Sequence, residues 1–278
     1  MDYIGEHLLP GQLGHFFIIL SLVASLVATF AYFKSSQATL AENAGYWKKL
    51  ARIAFITEVV SVFAIFGILF YIIYNHLFEY KYAWQHSSRS LELKYLLACF
   101  WEGQEGSFLL WSIWHCIIGL VIIKTAKKWE APVMTVVSFA QLALATMIAG
   151  LYIFGWKMGS NPFILLRDSG VLDNSPALHV NFDVNQPLKM DYMSSITDGN
   201  DLNPLLQNYW MVIHPPVLFL GFATTIVPFA FAVAGLWKKD FGEWTKQTLP
   251  WSLFSAAVLG LGIMMGAIWA YESLSFGG

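Results

Sequence analysis

Residues 202–222 read LNPLLQNYWMVIHPPVLFLGF, a polar turn running into an apolar helix, with His214 directly before Pro215 and Pro216. A residue that precedes proline is pushed out of the right-handed helical region. Proline is well accommodated at the first helical position, so the helix is predicted to begin at Pro215 or Pro216 with His214 as its cap. The positive end of the helix dipole disfavours an imidazolium there, leaves a neutral ring able to hold a metal such as iron, and favours a carboxylate nearby. His214, Pro215 and Pro216 are the first candidates for a site.

Outward from this stretch the chain stays apolar. Of 278 residues 57% are hydrophobic and 12% charged, with mean hydropathy +0.55, which is too little polar surface to cover a soluble globule of this size. Runs long enough to span a hydrocarbon core of about 30 Å fall near 13–33, 53–78, 107–123, 132–154, 213–237 and 250–271. The reading is an all-α polytopic membrane protein, a single domain over 1–278 with about six transmembrane helices. The first run is not read as a cleavable signal, because Asp2 and Glu6 precede it and no basic segment does.

Segments 34–52, 124–131 and 238–249 hold ten Lys or Arg in 39 residues, against six on the other side, which includes 79–107 and 155–212. This bias predicts both termini outside, with a long outward loop between spans four and five. Six aspartates between Asp168 and Asp201 argue against that loop lying on an anionic lipid surface. The net charge is −2, so membrane lipid and no nucleic acid is the expected surrounding. Cys99 and Cys116 lie 17 apart and form neither CxxC nor CxxCH. The chain is therefore no dithiol oxidoreductase and carries no covalent haem of its own, and with Cys116 inside span three a disulfide is not expected.

His15, His76 and His214 are placed near the outer face and His115 near the middle of span three. Ionisable groups at such depths are candidates for function, although interfacial histidines also serve as hydrogen-bonded anchors. Glu58, an acid well within a span, is expected to snorkel to the inner interface. Of twelve tryptophans seven are placed outward and five inward, the pattern of an aromatic belt. Trp101, Trp210 and Trp269 stand out by lying beside the motif segments. In 88–102, Leu93, Leu96, Leu97 and Phe100 form one stripe, predicting a helix on the outer interface. The glycines around Gln104-Glu105 predict a turn before span three. Gly262, Gly266 and Ala270 at four-residue spacing predict close helix packing. Two further readings stay open on residues alone: a transporter with Glu58 and His115 along its path, and a b-type cytochrome using two of His15, His76 and His214.

WEGQEGSFLLW at 101–111, NPF at 161–163, DLNPLLQNYWMVIHPPVLFLGF at 201–222 and GAIWAYESLSFGG at 266–278, in this order, resemble the N-terminal portion of the CcmF/NrfE/CcsA haem-handling family of cytochrome c biogenesis proteins. The resemblance covers almost the whole chain. It implies the haem-binding subunit of a cytochrome c haem lyase in a bacterial inner membrane, with haem b as substrate. Such a protein holds haem on the periplasmic side over a tryptophan-rich WWD segment and presents it to the CxxCH of apocytochrome c for thioether formation. A haem carrier protein and other maturation subunits are the further partners it implies. His214 matches the first of two outward axial histidines. Glu105 matches the family glutamate of W-G-x-x-E-G, although Glu102-Gly103 shift the first glycine by one place. Pro215, Pro216, Trp101, Trp210 and Trp269 complete the expected haem-contacting set. The sequence ends where the WWD segment is expected to begin, so the fragment alone is not expected to be a competent lyase.

Overall fold

A computed structural model describes residues 3–172 and 192–274. Asp173, Asp183 and Asp191 of the outward loop, and 275–278 where the tryptophan-rich segment is expected to begin, lie outside the described residues. Among the described residues six helices are long and apolar enough to cross a membrane, and the protein is an all-α polytopic membrane protein. They are α1 (Leu8–Gln37), α2 (Ala41–Tyr74), α5 (Gln104–Thr125), α6 (Glu130–Ala149), α7 (Tyr209–Lys238) and α8 (Glu243–Leu274). Between α2 and α5 lie the short α3 (Lys81–His86) and α4 (Leu93–Glu102), and after α6 comes a hairpin of β1 (Leu151–Ile153) and β2 (Trp156–Met158).

Small residues decide how closely the helices approach. The buried face of α1 repeats Gly11, Gly14, Ser21, Ala24, Ser25, Ala28 and Ala31, a surface that lets backbones meet in lipid, where apolar transfer gives no driving force. On it pack α2 and α6; α5 wedges between α2, α6 and α7, and α8 runs along α7. At Gly14 a Cβ would collide with the Phe163 ring. The NPF segment is thereby explained as a plug: Asn161 Oδ1 accepts from Phe163 N at 2.9 Å, and its Nδ2 donates to His15 Nδ1 at 2.8 Å. Because Oδ1 is fixed by a backbone N–H, the amide must donate to His15 Nδ1, so the His15 proton sits on Nε2.

The two ends of the bundle differ in chemistry. At one end Glu79 accepts from His7 N at 2.9 Å, and Tyr80 Oη takes the Gly11 N–H at 2.8 Å while donating to the His7 carbonyl at 2.6 Å. Burial raises the Tyr80 phenol to about 12, so it keeps the proton that this bond needs. At the other end lie the cationic connections. Arg52 Nε and Nη2 hold both Glu130 oxygens at 2.7 Å, Lys48 Nζ adds a contact at 3.3 Å, and Lys128 reaches Asp240 and Glu243. Alternating spans thus gather the basic segments on one side, as the charge count requires.

Glu130 is 2% exposed, so the Arg52 fork offsets most of its burial cost. Glu130→Ala is expected to lower stability by about 1–3 kcal/mol, less than for a fully buried pair because Arg52 can turn to water. Thermal unfolding in detergent measures this. An unchanged midpoint removes the pair from the list of contacts holding α2 to α6.

The structure corrects several expectations. Span two ends at Tyr74, leaving His76 outside it in a left-handed turn with φ 53°. Span four ends at Ala149 with Gly150 as a left-handed cap at φ 66°. Within α4, Leu96, Phe100 and Trp101 enter the protein core, while Leu93 is exposed. Gly103 alone separates α4 from α5, so Gln104-Glu105 form no turn and already belong to the helix. Cys99 and Cys116 are buried and unbridged.

Candidate functional site

Helix α7 begins at Tyr209, where the Asn208 side chain caps it by accepting from Trp210 N at 3.1 Å. His214 is therefore the sixth residue of the helix, and Pro215 and Pro216 lie inside it, contrary to the expected start at the prolines. A proline within a membrane helix is tolerated where neighbours satisfy the carbonyl it leaves unpaired. Here the Trp101 indole of α4 donates Nε1–H to the Met211 carbonyl at 2.8 Å, with both residues buried.

The His214 ring turns toward α8. Its Nε2 edge lies over Gly266, where an added Cβ would stand 2.8 Å from Nε2. Trp269, one turn further along α8, meets the imidazole edge-on with ring centroids 5.5 Å apart. Trp210 donates Nε1–H to Glu272 Oε2 at 2.7 Å. His214 Nδ1 and Trp269 Nε1 are both buried without a hydrogen-bond partner among the described residues. Buried polar atoms are ordinarily paired, so these two are open to a partner beyond the described residues. The close α7–α8 approach that permits this comes from Gly262, read in the sequence for packing, against Leu218 and from Gly221, which was not, against Leu259.

His214, Trp210 and Trp269 are thus brought together, with Glu272 and Gly266 as members that the sequence reading did not name for this role. Gly266 was read only for packing, yet its spacing of three from Trp269 places both on one helix face. Trp101 approaches the same turn from α4. Pro215 is buried. Glu105 lies apart, in the first turn of α5, where an acid suits the helix dipole. It faces Tyr82, whose phenol burial, reinforced by Glu105, holds well above the ordinary range.

The remaining candidates have separate surroundings. His15 is engaged by Asn161, and His76 lies 5.7 Å from the Phe78 ring, with burial and then Arg89 holding it below the ordinary imidazole range. Glu58 is fully buried, which corrects the expectation that it snorkels. It sits inside the bundle beside Gln141 of α6 and Cys116 of α5, and His115 is a second neighbour of Gln141. Gln141 Nε2 donates at 3.3 Å to both the Ser112 carbonyl and Cys116 Sγ, while its Oε1, both Glu58 oxygens and both His115 nitrogens lack partners among the described residues. Among the described residues no group of three or more His, Cys, Asp or Glu could hold a metal ion.

Comparison with known proteins bears on the fold and the family. A solved structure of "Cytochrome c Heme Lyase CcmF" shares the fold, with TM-score 0.69 and 20% identity, over 98% of this chain and 37% of that one. The cytochrome c-type biogenesis protein CcmF of Pseudomonas aeruginosa is 30% identical over 274 residues, covering 96% of this chain and 36% of that protein. CcmF of Haemophilus influenzae is 29% identical over 273 residues, with 96% and 36% covered. The chain spans little more than a third of the length of these curated relatives. The Cytochrome C assembly protein family matches residues 101–278, more than half of the sequence and all of the Trp101, His214 and Trp269 segments, and the chain belongs to that family.

Proposed function

We propose that this chain, acting as one domain of a longer protein, is the haem-holding portion of a cytochrome c haem lyase in a bacterial inner membrane. The observation that carries the reading is the His214 ring over Gly266, with Nδ1 and the Trp269 N–H left unpaired beside it. The basic connections between spans lie at the opposite end of the bundle, and by the positive-inside rule this supports a periplasmic setting for the His214 end. Apocytochrome c, a haem carrier and other maturation subunits are its partners there.

Haem would be the cargo, supplying an iron that takes an imidazole ligand and vinyl groups across which cysteine thiols add. The residues present fit it. His214 would give an imidazole nitrogen once its ring left its seat against α8 at Gly266, and Trp269 would offer a flat apolar face with one N–H to spare. Trp210 and Glu272 tie α7 to α8 at the mouth of the site, and Pro215 and Pro216 stiffen the turn that carries the ligand.

The test uses the full-length protein. His214→Gly is expected to abolish covalent haem attachment to co-expressed apocytochrome c and to change the visible spectrum of the purified protein. Added imidazole should restore the spectrum, because a free ligand can occupy the space the side chain left. Unchanged maturation in His214→Gly removes this assignment.

A further inference from the structure

We infer that Trp101 is a positioning residue for His214, acting as the substitute donor for the backbone hydrogen bond that Pro215 deletes. In an α-helix the N–H of residue 215 would donate to the carbonyl of residue 211. Proline has no N–H, so Met211 O loses its partner within the helix. In a membrane-spanning segment no bulk water replaces it, and a buried unpaired carbonyl is costly. The Trp101 Nε1–H fills this gap at 2.8 Å, from a residue 7% exposed onto one 3% exposed.

The bond joins two motifs that lie 110 residues apart. Its donor ends α4, where the Trp101 carbonyl accepts from Ser107 Oγ at 2.8 Å across the elbow to α5. The acceptor lies in the turn of α7 that carries His214. On its other side that turn is held by Trp210 Nε1 on Glu272 of α8. Two indole hydrogen bonds, one received from Trp101 of α4 and one given by Trp210 to Glu272 of α8, thus clamp 210–215, and the direction of the His214 ring over Gly266 follows from the clamp. An indole is suited to this: it has one donor, a rigid ring and two torsions, so its N–H is aimed with little freedom lost.

The functional consequence rests on the reading of His214 as the haem ligand, whereas the bond itself does not. In Trp101→Phe the ring volume is largely kept and only the donor is lost. In the full-length protein, haem retention should fall about 10- to 100-fold, the usual range for outer-shell partners of a metal ligand, and the low-spin EPR signal of the ferric haem should shift. Pro215→Ala returns an N–H at position 215, so the double variant Trp101→Phe with Pro215→Ala should recover the wild-type signal and much of the lost thermal stability. That repair separates loss of this donor from loss of aromatic packing, which Pro215→Ala cannot restore. If Trp101→Phe keeps the wild-type signal and retention, or if Pro215→Ala fails to repair it, Trp101 does not position His214. A His214→Gly variant that still matures cytochrome c strikes at the ligand reading alone, and the thermal coupling between positions 101 and 215 is then the measure of the bond.

Discussion

Gly266→Ala should weaken haem retention by about 5- to 150-fold without removing any ligand. A methyl carbon at 266 would meet His214 Nε2 at 2.8 Å, Cε1 at 3.4 Å and Cδ2 at 3.5 Å, so it strikes the same edge of the ring throughout. The imidazole must move or turn to admit it. Overpacking of this kind costs about 1–3 kcal/mol, and each 1.4 kcal/mol is about tenfold in affinity. Gly262→Ala is the matched control: its methyl would meet the Leu218 backbone Cα at 2.9 Å on the same helix face but one turn away. Gly262→Ala is therefore expected to lower the thermal midpoint and, since the Gly262 backbone itself hydrogen-bonds His214, to alter the haem spectrum less than Gly266→Ala does. Gly266→Ala should alter the spectrum. If the two variants differ only in stability, the space over Gly266 is ordinary packing and the site lies elsewhere.

The contrast between these glycines shows what the sequence can and cannot say. Both belong to the stripe of small residues at 262, 266 and 270, whose spacing predicts close helix approach, and that prediction holds along α7. Spacing cannot tell which member faces a leucine and which a histidine, because that depends on the register of α8 against α7. The six spans were legible for a simpler reason: apolar length is a direct demand of the bilayer. Glu58 was misread because depth along a helix is visible in sequence and azimuth is not. Its side chain faces Gln141 and Cys116 within the bundle rather than the inner interface. The start of α7 was misread because local rules assign the prolines to a helix's first turn. Here Asn208 caps the helix earlier and a side chain from α4 supplies the missing donor. Subtracting four from 215 would have pointed to Met211 as a carbonyl in need of a partner, though not to Trp101 as the one that answers.

Gly106→Ala is expected to have the largest effect on the fold, with little accumulation of folded protein in the membrane. The elbow between α4 and α5 turns within Gly103, at φ −77° and ψ 159°. The Tyr82 hydroxyl holds it closed by donating to the Phe100 carbonyl at 2.7 Å and accepting from Gly103 N at 3.2 Å. A Cβ at 106 would land on the Phe100 carbonyl oxygen, with the Tyr82 hydroxyl also too close. Neither can step aside by a rotamer change, since one is backbone and the other is pinned on two sides. The cost should therefore exceed the about 1–3 kcal/mol typical of overpacking. At Gly103 the intruding methyl would meet the Tyr82 ring at 2.6 Å and His86 Nε2 at 2.8 Å, side-chain overlaps far shallower than the one with the Phe100 carbonyl oxygen. Gly103→Ala should accordingly be milder than Gly106→Ala in both membrane yield and thermal midpoint. The elbow also fixes where Trp101 points, so any Gly106→Ala protein that does fold should show the haem defect of Trp101→Phe. If Gly106→Ala instead accumulates with a wild-type midpoint and full haem retention, the elbow does not hold α4 in place, and the Trp101 bond to Met211 must be set by α7 alone.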